Sequence, residues 1–138
     1  MARLQGQWPF QPVQRPPLHF DNLRWTVAVD IETRDEALAE DLFGGIDRRD
    51  VVFGDCVAVR RVQLRRLRST PDAVAVELAV GAVGSVPSTA AAAFVAEWLI
   101  RHARGRAERI VIGGRATPVR ADQIRRALAD ALVVARAR

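Results

Sequence analysis

Residues 73–102 read Ala73-Val-Ala-Val-Glu-Leu-Ala-Val80, then Gly81-Ala-Val-Gly-Ser-Val-Pro87, then Ser88-Thr-Ala-Ala-Ala-Ala-Phe-Val-Ala-Glu-Trp-Leu-Ile-Arg-His102. The first block alternates: Val74, Val76, Leu78 and Val80 share one face, which is the period of a half-buried strand. The opposite face carries Ala73, Ala75, Glu77 and Ala79, small enough to let something pack close. A link rich in glycine and small residues follows, and Ser88 or Thr89 is placed to cap a long helix running to about His102. That helix is apolar almost all round, so burial on more than one side is expected. Phe94 and Trp98, four residues apart, are expected in the core. Arg101, Arg104 and Arg106 lie at its carboxyl end, where cations suit the helix dipole.

Toward the carboxyl terminus, Arg109–Ile112 and Ala116–Val119 flank Gly113-Gly114. Two glycines supply the positive φ of a primed hairpin turn. From Asp122 onward, Ile124, Ala127, Leu128, Ala131, Leu132 and Ala135 form one helical stripe, with Arg125, Arg126, Asp130 and Arg136 off it. Toward the amino terminus, Leu23, Trp25, Val27, Val29 and Ile31 alternate with polar or small residues as a second half-buried strand. Thr33 and Glu36 have the spacing of a capping box, ahead of a short helix that Gly44-Gly45 stops. Between them and residue 73 the pattern is less regular. Val51-Val52-Phe53 is a short apolar patch, and Cys56–Val59 reads as strand. The phase breaks at Arg60-Arg61 before Val62 and Leu64 resume, which a bulge or a bend explains.

Residues 1–21 form a Pro-rich aromatic arm. Pro9, Pro12, Pro16 and Pro17 remove four backbone donors, so a regular helix or central strand is not expected. Trp8, Phe10 and Phe20 give it large apolar area to bury, on its own domain or on a neighbour. Residues 22–138 then form a single domain. The fold expected is α+β: a twisted, mostly antiparallel sheet of four or five strands with two or three helices on one face.

The 138 residues, 49% hydrophobic and 27% charged, suffice for one core. No apolar run reaches the ~18–20 residues of a membrane span, so no membrane partner is expected. The start lacks the basic-then-apolar order of a signal peptide, and the lone cysteine, Cys56, has no partner for a disulfide. The compartment expected is cytoplasmic.

The net charge of +5 and pI of about 11.2 invite a nucleic-acid partner. All 21 basic residues are Arg, however, and the chain has 23 Ala and no Lys. That bias resembles the codon output of a GC-rich genome, which raises the pI without any partner being implied. The distribution is more informative. Asp30–Asp55 holds nine acids against three Arg, whereas Arg60, Arg61, Arg65, Arg66 and Arg68 form a run with no acid. On a strand, alternate Arg residues would track phosphates. They lack the interleaved aromatics of a base-stacking surface, and an edge strand guarded by charge accounts for them equally well. The acidic block is a candidate counterpart, within the fold or on a neighbouring subunit.

Catalytic chemistry has little to work with. His19 and His102 are the two histidines, and a Cys56/His102 nucleophile pair is weaker than an inert buried thiol. Two distant histidines supply no metal-ligand pair. Gly81-x-x-Gly84-Ser85 lacks the lysine of a phosphate loop. Asp30, Glu32, Asp35 and Glu36 gather at a strand-to-helix junction and could hold a cation or act as acid and base, but acids at a helix start are the plainer account. No enzyme and no cofactor is expected.

The succession from Val74 to Gly84, from Ala92 through Trp98 to Arg101, from Arg109 to Arg115 and from Ile124 to Leu128 resembles the effector-associated constant component proteins, a small actinobacterial family. The unit Leu23–Phe43 also fits their layout, so the resemblance covers about 110 residues of the sequence. It implies a non-catalytic adaptor in a bacterial conflict system, encoded beside protease-like or other effector modules, with no assigned catalytic residues. The arm and the arginine run depart from the family's usual form. The candidate partner-binding residues are therefore Trp8, Phe10, Phe20, Arg60, Arg61, Arg65, Arg66 and Arg68, and a protein partner is favoured over nucleic acid. The alternatives are a structural assembly subunit of a phage or protein shell that clasps a neighbour with its arm, and a basic nucleic-acid-binding module.

Overall fold

Alternation places a strand's apolar residues on one face, and here that face is shared across the sheet. A computed structural model describes residues 18–45, 47–68, 70 and 72–137. In chain order the elements are β1 (Thr26–Thr33), α1 (Leu38–Phe43), β2 (Asp50–Phe53), β3 (Val57–Arg66), β4 (Val74–Ala82), α2 (Ser88–Ala103), β5 (Ala107–Ile112), β6 (Arg115–Thr117) and α3 (Ala121–Ala137). The strands make one antiparallel sheet in the order β2-β3-β4-β1-β5-β6. The architecture is α+β with six strands, one more than the upper expectation. The apolar patch Val51–Phe53 is the added strand, because it finds a partner in Val57–Val59 across a tight turn.

The register lines up the buried face. Val27 faces Val80, Val29 faces Leu78 and Ile31 faces Val76 across β1–β4, while Ile112 and Ile110 face Val29 and Ile31 from β5. Leu38, Leu42 and Phe43 of α1, Ala92, Val95 and Leu99 of α2, and Ile124, Leu128 and Leu132 of α3 close over that face as one core. Ala127, Ala131 and Ala135 are half-buried beside it, as the stripe on α3 predicts. The other face of the sheet carries Asp30, Glu32, Arg60, Arg65, Glu77, Ala79 and Val111.

Several local expectations change. Thr33 does not cap a helix. It ends β1 fully buried, donates to the Arg106 carbonyl at 2.7 Å and accepts from the Asp35 amide at 3.0 Å, so α1 begins only at Leu38. Ser88 makes no capping bond; its hydroxyl accepts from Arg136 of α3 at 3.1 Å. Trp98 is core, but Phe94 is 47% exposed. The difference is angular: α2 meets the sheet and two helices through Ala91, Ala92, Val95, Trp98 and Leu99, and the stripe through Ala93, Phe94 and Glu97 is left to solvent.

Leu23 and Trp25 precede β1 instead of opening it. Leu23 lies against Gly81, where a Cβ would come within 2.7 Å of its Cδ1, and Trp25 lies against Gly84. A missing side chain at Gly81 is thus what lets the amino-terminal segment cross the sheet. Gly113 and Gly114 have φ of 57° and 85°, the two positive values that a primed β5–β6 turn needs. Among the described residues no helix is long and apolar enough to cross a membrane.

Candidate interaction surface

β3 is the strand on which the candidate residues meet, and its two halves differ. Val57, Ala58 and Val59 are buried, whereas all five residues from Val62 to Arg66 are exposed. The break in phase at Arg60-Arg61 is a bulge. Arg61 pairs with Leu78 and Gln63 with Glu77, so one extra residue is accommodated between them. An inserted residue reverses the faces of everything after it. Arg60 and Arg65 therefore lie on the helix-free face, with Ala79 and Ala75 as register partners, while Arg61 and Arg66 lie on the helix side, opposite Leu78 and Val74. The five arginines do not form one row.

Four of them are engaged within the chain. Arg60 donates through Nε and Nη2 to both Asp50 oxygens at 2.7 and 2.9 Å, a bidentate pair across β2–β3, and through Nη1 to Asp21. Its guanidinium also sits 4.8 Å over the Phe20 ring. The bond from Arg60 holds the Asp50 carboxyl below the usual range, and the Asp50 and Asp21 bonds hold the Arg60 proton more firmly than usual. Arg61 stacks 5.4 Å over the Phe43 ring and donates to the Arg48 carbonyl. Arg65 donates to Glu77 at 2.8 Å and lowers its pKa, with Gln63 on the same oxygen. Arg66 reaches Glu36 at 3.3 Å through an exposed pair. Asp50 and Glu36 are the acidic-block counterparts foreseen from sequence; Asp21 and Glu77 lie outside that block. Arg68 is exposed beyond the end of β3.

Phe20 thus joins the arginine strand, in a short 3-10 turn, Phe20–Asn22, that lies against β3. Trp8 and Phe10 lie outside the described residues.

Arg106, expected only as a cation at the end of the long helix, bridges Asp35 at 2.6 Å through Nε and Asp41 at 2.7 Å through Nη2, tying the start of β5 to α1 and the segment before it. Its partners are 71 and 65 positions away in the chain, beyond any local pattern. This also disperses the acidic cluster. Asp35 belongs to Arg106 and Glu36 to Arg66, and only Asp30 and Glu32 remain side by side on the helix-free face. Asp30 stands opposite Glu77, and burial pushes its pKa up, with Glu77 and Glu32 adding to the rise and Arg65 opposing it.

Cys56 and His102 are engaged separately. The Cys56 thiol donates to Asp55 at 3.6 Å, and His102 Nδ1 lies 3.0 Å from the Trp98 carbonyl oxygen, to which its N–H donates. Among the described residues no three His, Cys, Asp or Glu side chains gather where they could hold a metal ion. A groove of about 780 Å³ runs between α3 and the β5–β6 hairpin, lined among others by Thr26, Arg115, Arg126, Asp130 and Val134. Compared with known proteins, the chain significantly matches no family model, no curated protein and no solved structure.

Proposed function

We propose that the chain is a non-catalytic adaptor, a protein-binding module of the kind that the effector-associated constant components represent, acting in the cytoplasm on an effector protein encoded beside it. The supporting observation is the outer half of β3. Val62 and Leu64 are 51% and 50% exposed on a strand whose first three residues, Val57–Val59, are buried. Apolar side chains held in water on a rigid element are what a protein partner removes from solvent. The bulge favours a protein over a nucleic acid, because it sets Arg60 and Arg65 on the face opposite to Arg61 and Arg66, so that a duplex backbone does not meet them as one row.

Co-expression of the tagged chain with the products of its neighbouring genes tests the proposal. A protease-like or other effector product is expected to co-purify at fixed stoichiometry, and alanine at Cys56, His102 or Asp30 is expected to leave biological activity intact. Co-purification with capsid or tail proteins instead would make the chain an assembly subunit. Loss of activity in one of the alanine variants, with an unchanged circular dichroism spectrum, would make it an enzyme.

A further inference from the structure

β2 covers only part of β3. Its four residues pair with Val57–Arg60, and the last bond on that side runs from the Arg61 amide to the Arg49 carbonyl at 2.7 Å. No described strand pairs with β3 on that side from Val62 onward. On the other side β4 continues to the end, and the Leu67 amide still donates to the Ala73 carbonyl at 3.2 Å. In an antiparallel ladder alternate residues bond to opposite neighbours. Since Leu67 and Arg65 face β4, Leu64 and Arg66 direct their N–H and C=O groups to the open edge.

We propose that the open edge of β3, Val62–Arg66, receives an extended acidic segment of a partner protein as a seventh strand. This rests on the adaptor reading and names the partner's chemistry. Backbone bonds to Leu64 and Arg66 supply the ladder, Val62 and Leu64 supply apolar contact, and the arginines supply the selectivity. A second copy of this chain is the wrong occupant, because it brings two runs of five Arg, with no acid between Arg60 and Arg68, alongside one another, and the accumulated like charge opposes pairing. The same charges that guard the edge against self-association match a strand bearing Asp or Glu. The pairs Arg65–Glu77 and Arg66–Glu36 are half-exposed or more at the arginine. Such pairs hold weakly and re-pair readily.

The test uses the full chain and a labelled decapeptide alternating Glu with Val. Its controls are the same peptide N-methylated at alternate residues, with identical charge, and the Leu64→Pro variant, which removes one edge N–H and leaves the β4 ladder whole. Binding is expected to weaken about tenfold in each control, the worth of one or two backbone hydrogen bonds. The Leu64 and Arg66 amides are expected to become protected from hydrogen exchange on binding. Leu64→Thr, which retains the amide, is expected to hold the exchange signature should Leu64→Pro not fold. Equal affinity for the N-methylated peptide would reduce the interaction to charge attraction and overturn the proposal. A homodimer abolished by Leu64→Pro would also overturn it, in favour of a second copy. An effector complex that forms undiminished with Leu64→Pro would overturn the edge while leaving the adaptor standing.

Discussion

The Trp98 indole N–H donates to the Leu42 carbonyl across 3.1 Å, joining α2 to the last turn of α1 in the interior. The carbonyl is one that α1, ending at Phe43, has no further helical amide to satisfy. Phe43 and Phe53 each meet the Trp98 ring edge-on at 5.6 Å between centroids. One side chain therefore holds α1, α2 and β2 together.

Trp98→Ala is expected to cost about 3–5 kcal/mol, as large aromatic truncations in cores do. Trp98→Phe retains most of the packing but strands the Leu42 carbonyl, and a loss of about 1–3 kcal/mol follows. Phe94→Ala, on the exposed stripe of the same helix, is expected within about 0.5 kcal/mol of wild type. Urea unfolding followed by circular dichroism measures all three. A Phe94 effect equal to that of Trp98 would contradict the placement of α2.

Asp30 makes stability depend on pH in the unusual direction. Its folded pKa is raised, chiefly by burial and then by Glu77 directly opposite. The folded form thus holds the proton more tightly than the unfolded chain, whose carboxyl titrates near about 3.9. Stability is lost as pH rises through the interval between the two values, and the penalty is complete at neutrality. Asp30→Asn should raise the melting temperature at neutral pH, with the advantage vanishing below the ordinary carboxylate pKa. Asp35, Asp50 and Glu77 have lowered values, held first by Arg106, Arg60 and Arg65, and lose their contributions as pH falls. Both proteins share those losses. A melting temperature for Asp30→Asn at or below wild type at neutral pH would show that the carboxylate is stabilising.

Gly81→Ala places a methyl 2.7 Å from Leu23 Cδ1 and 3.2 Å from Leu23 Cβ. Overpacking of that kind costs about 1–3 kcal/mol. Leu23→Ala in the same chain should recover most of it, because it removes the atom that clashes. A double-mutant cycle by thermal unfolding measures the coupling, and strict additivity would mean that the segment before β1 does not rest on Gly81.

The arginine run gives the fourth prediction. A duplex contacted by all five side chains would show a log–log salt slope near about −4.5, from roughly −0.9 per phosphate. The bulge divides Arg60 and Arg65 from Arg61 and Arg66, so they do not line one face, and Asp50 holds Arg60 through both its oxygens. Duplex binding at physiological salt is therefore expected to be weak and little changed when the five are replaced by Gln. Fluorescence anisotropy with labelled duplex across a salt series decides it. Sub-micromolar binding that survives physiological salt and disappears in the Gln variant would make this a nucleic-acid-binding strand.

Alternation and helical stripes by themselves determined most of the framework. Val27–Ile31, Val74–Val80 and Ile124–Leu132 carry their own periods, and Gly113-Gly114 fixes a turn that other residues resist, so local sterics and burial decide these elements wherever they lie. The bulge was legible as a break in phase, but the face on which each arginine emerges was not, since that depends on where the ladder with β4 absorbs the extra residue. Only the tertiary structure decided the partners. Asp50 is ten positions from Arg60, Asp21 thirty-nine and Asp35 seventy-one from Arg106, and a salt bridge leaves no periodic trace in either segment it joins. The open edge of β3 is likewise a property of the whole sheet, because it exists only where β2 stops short of Val62 and no other described strand takes its place.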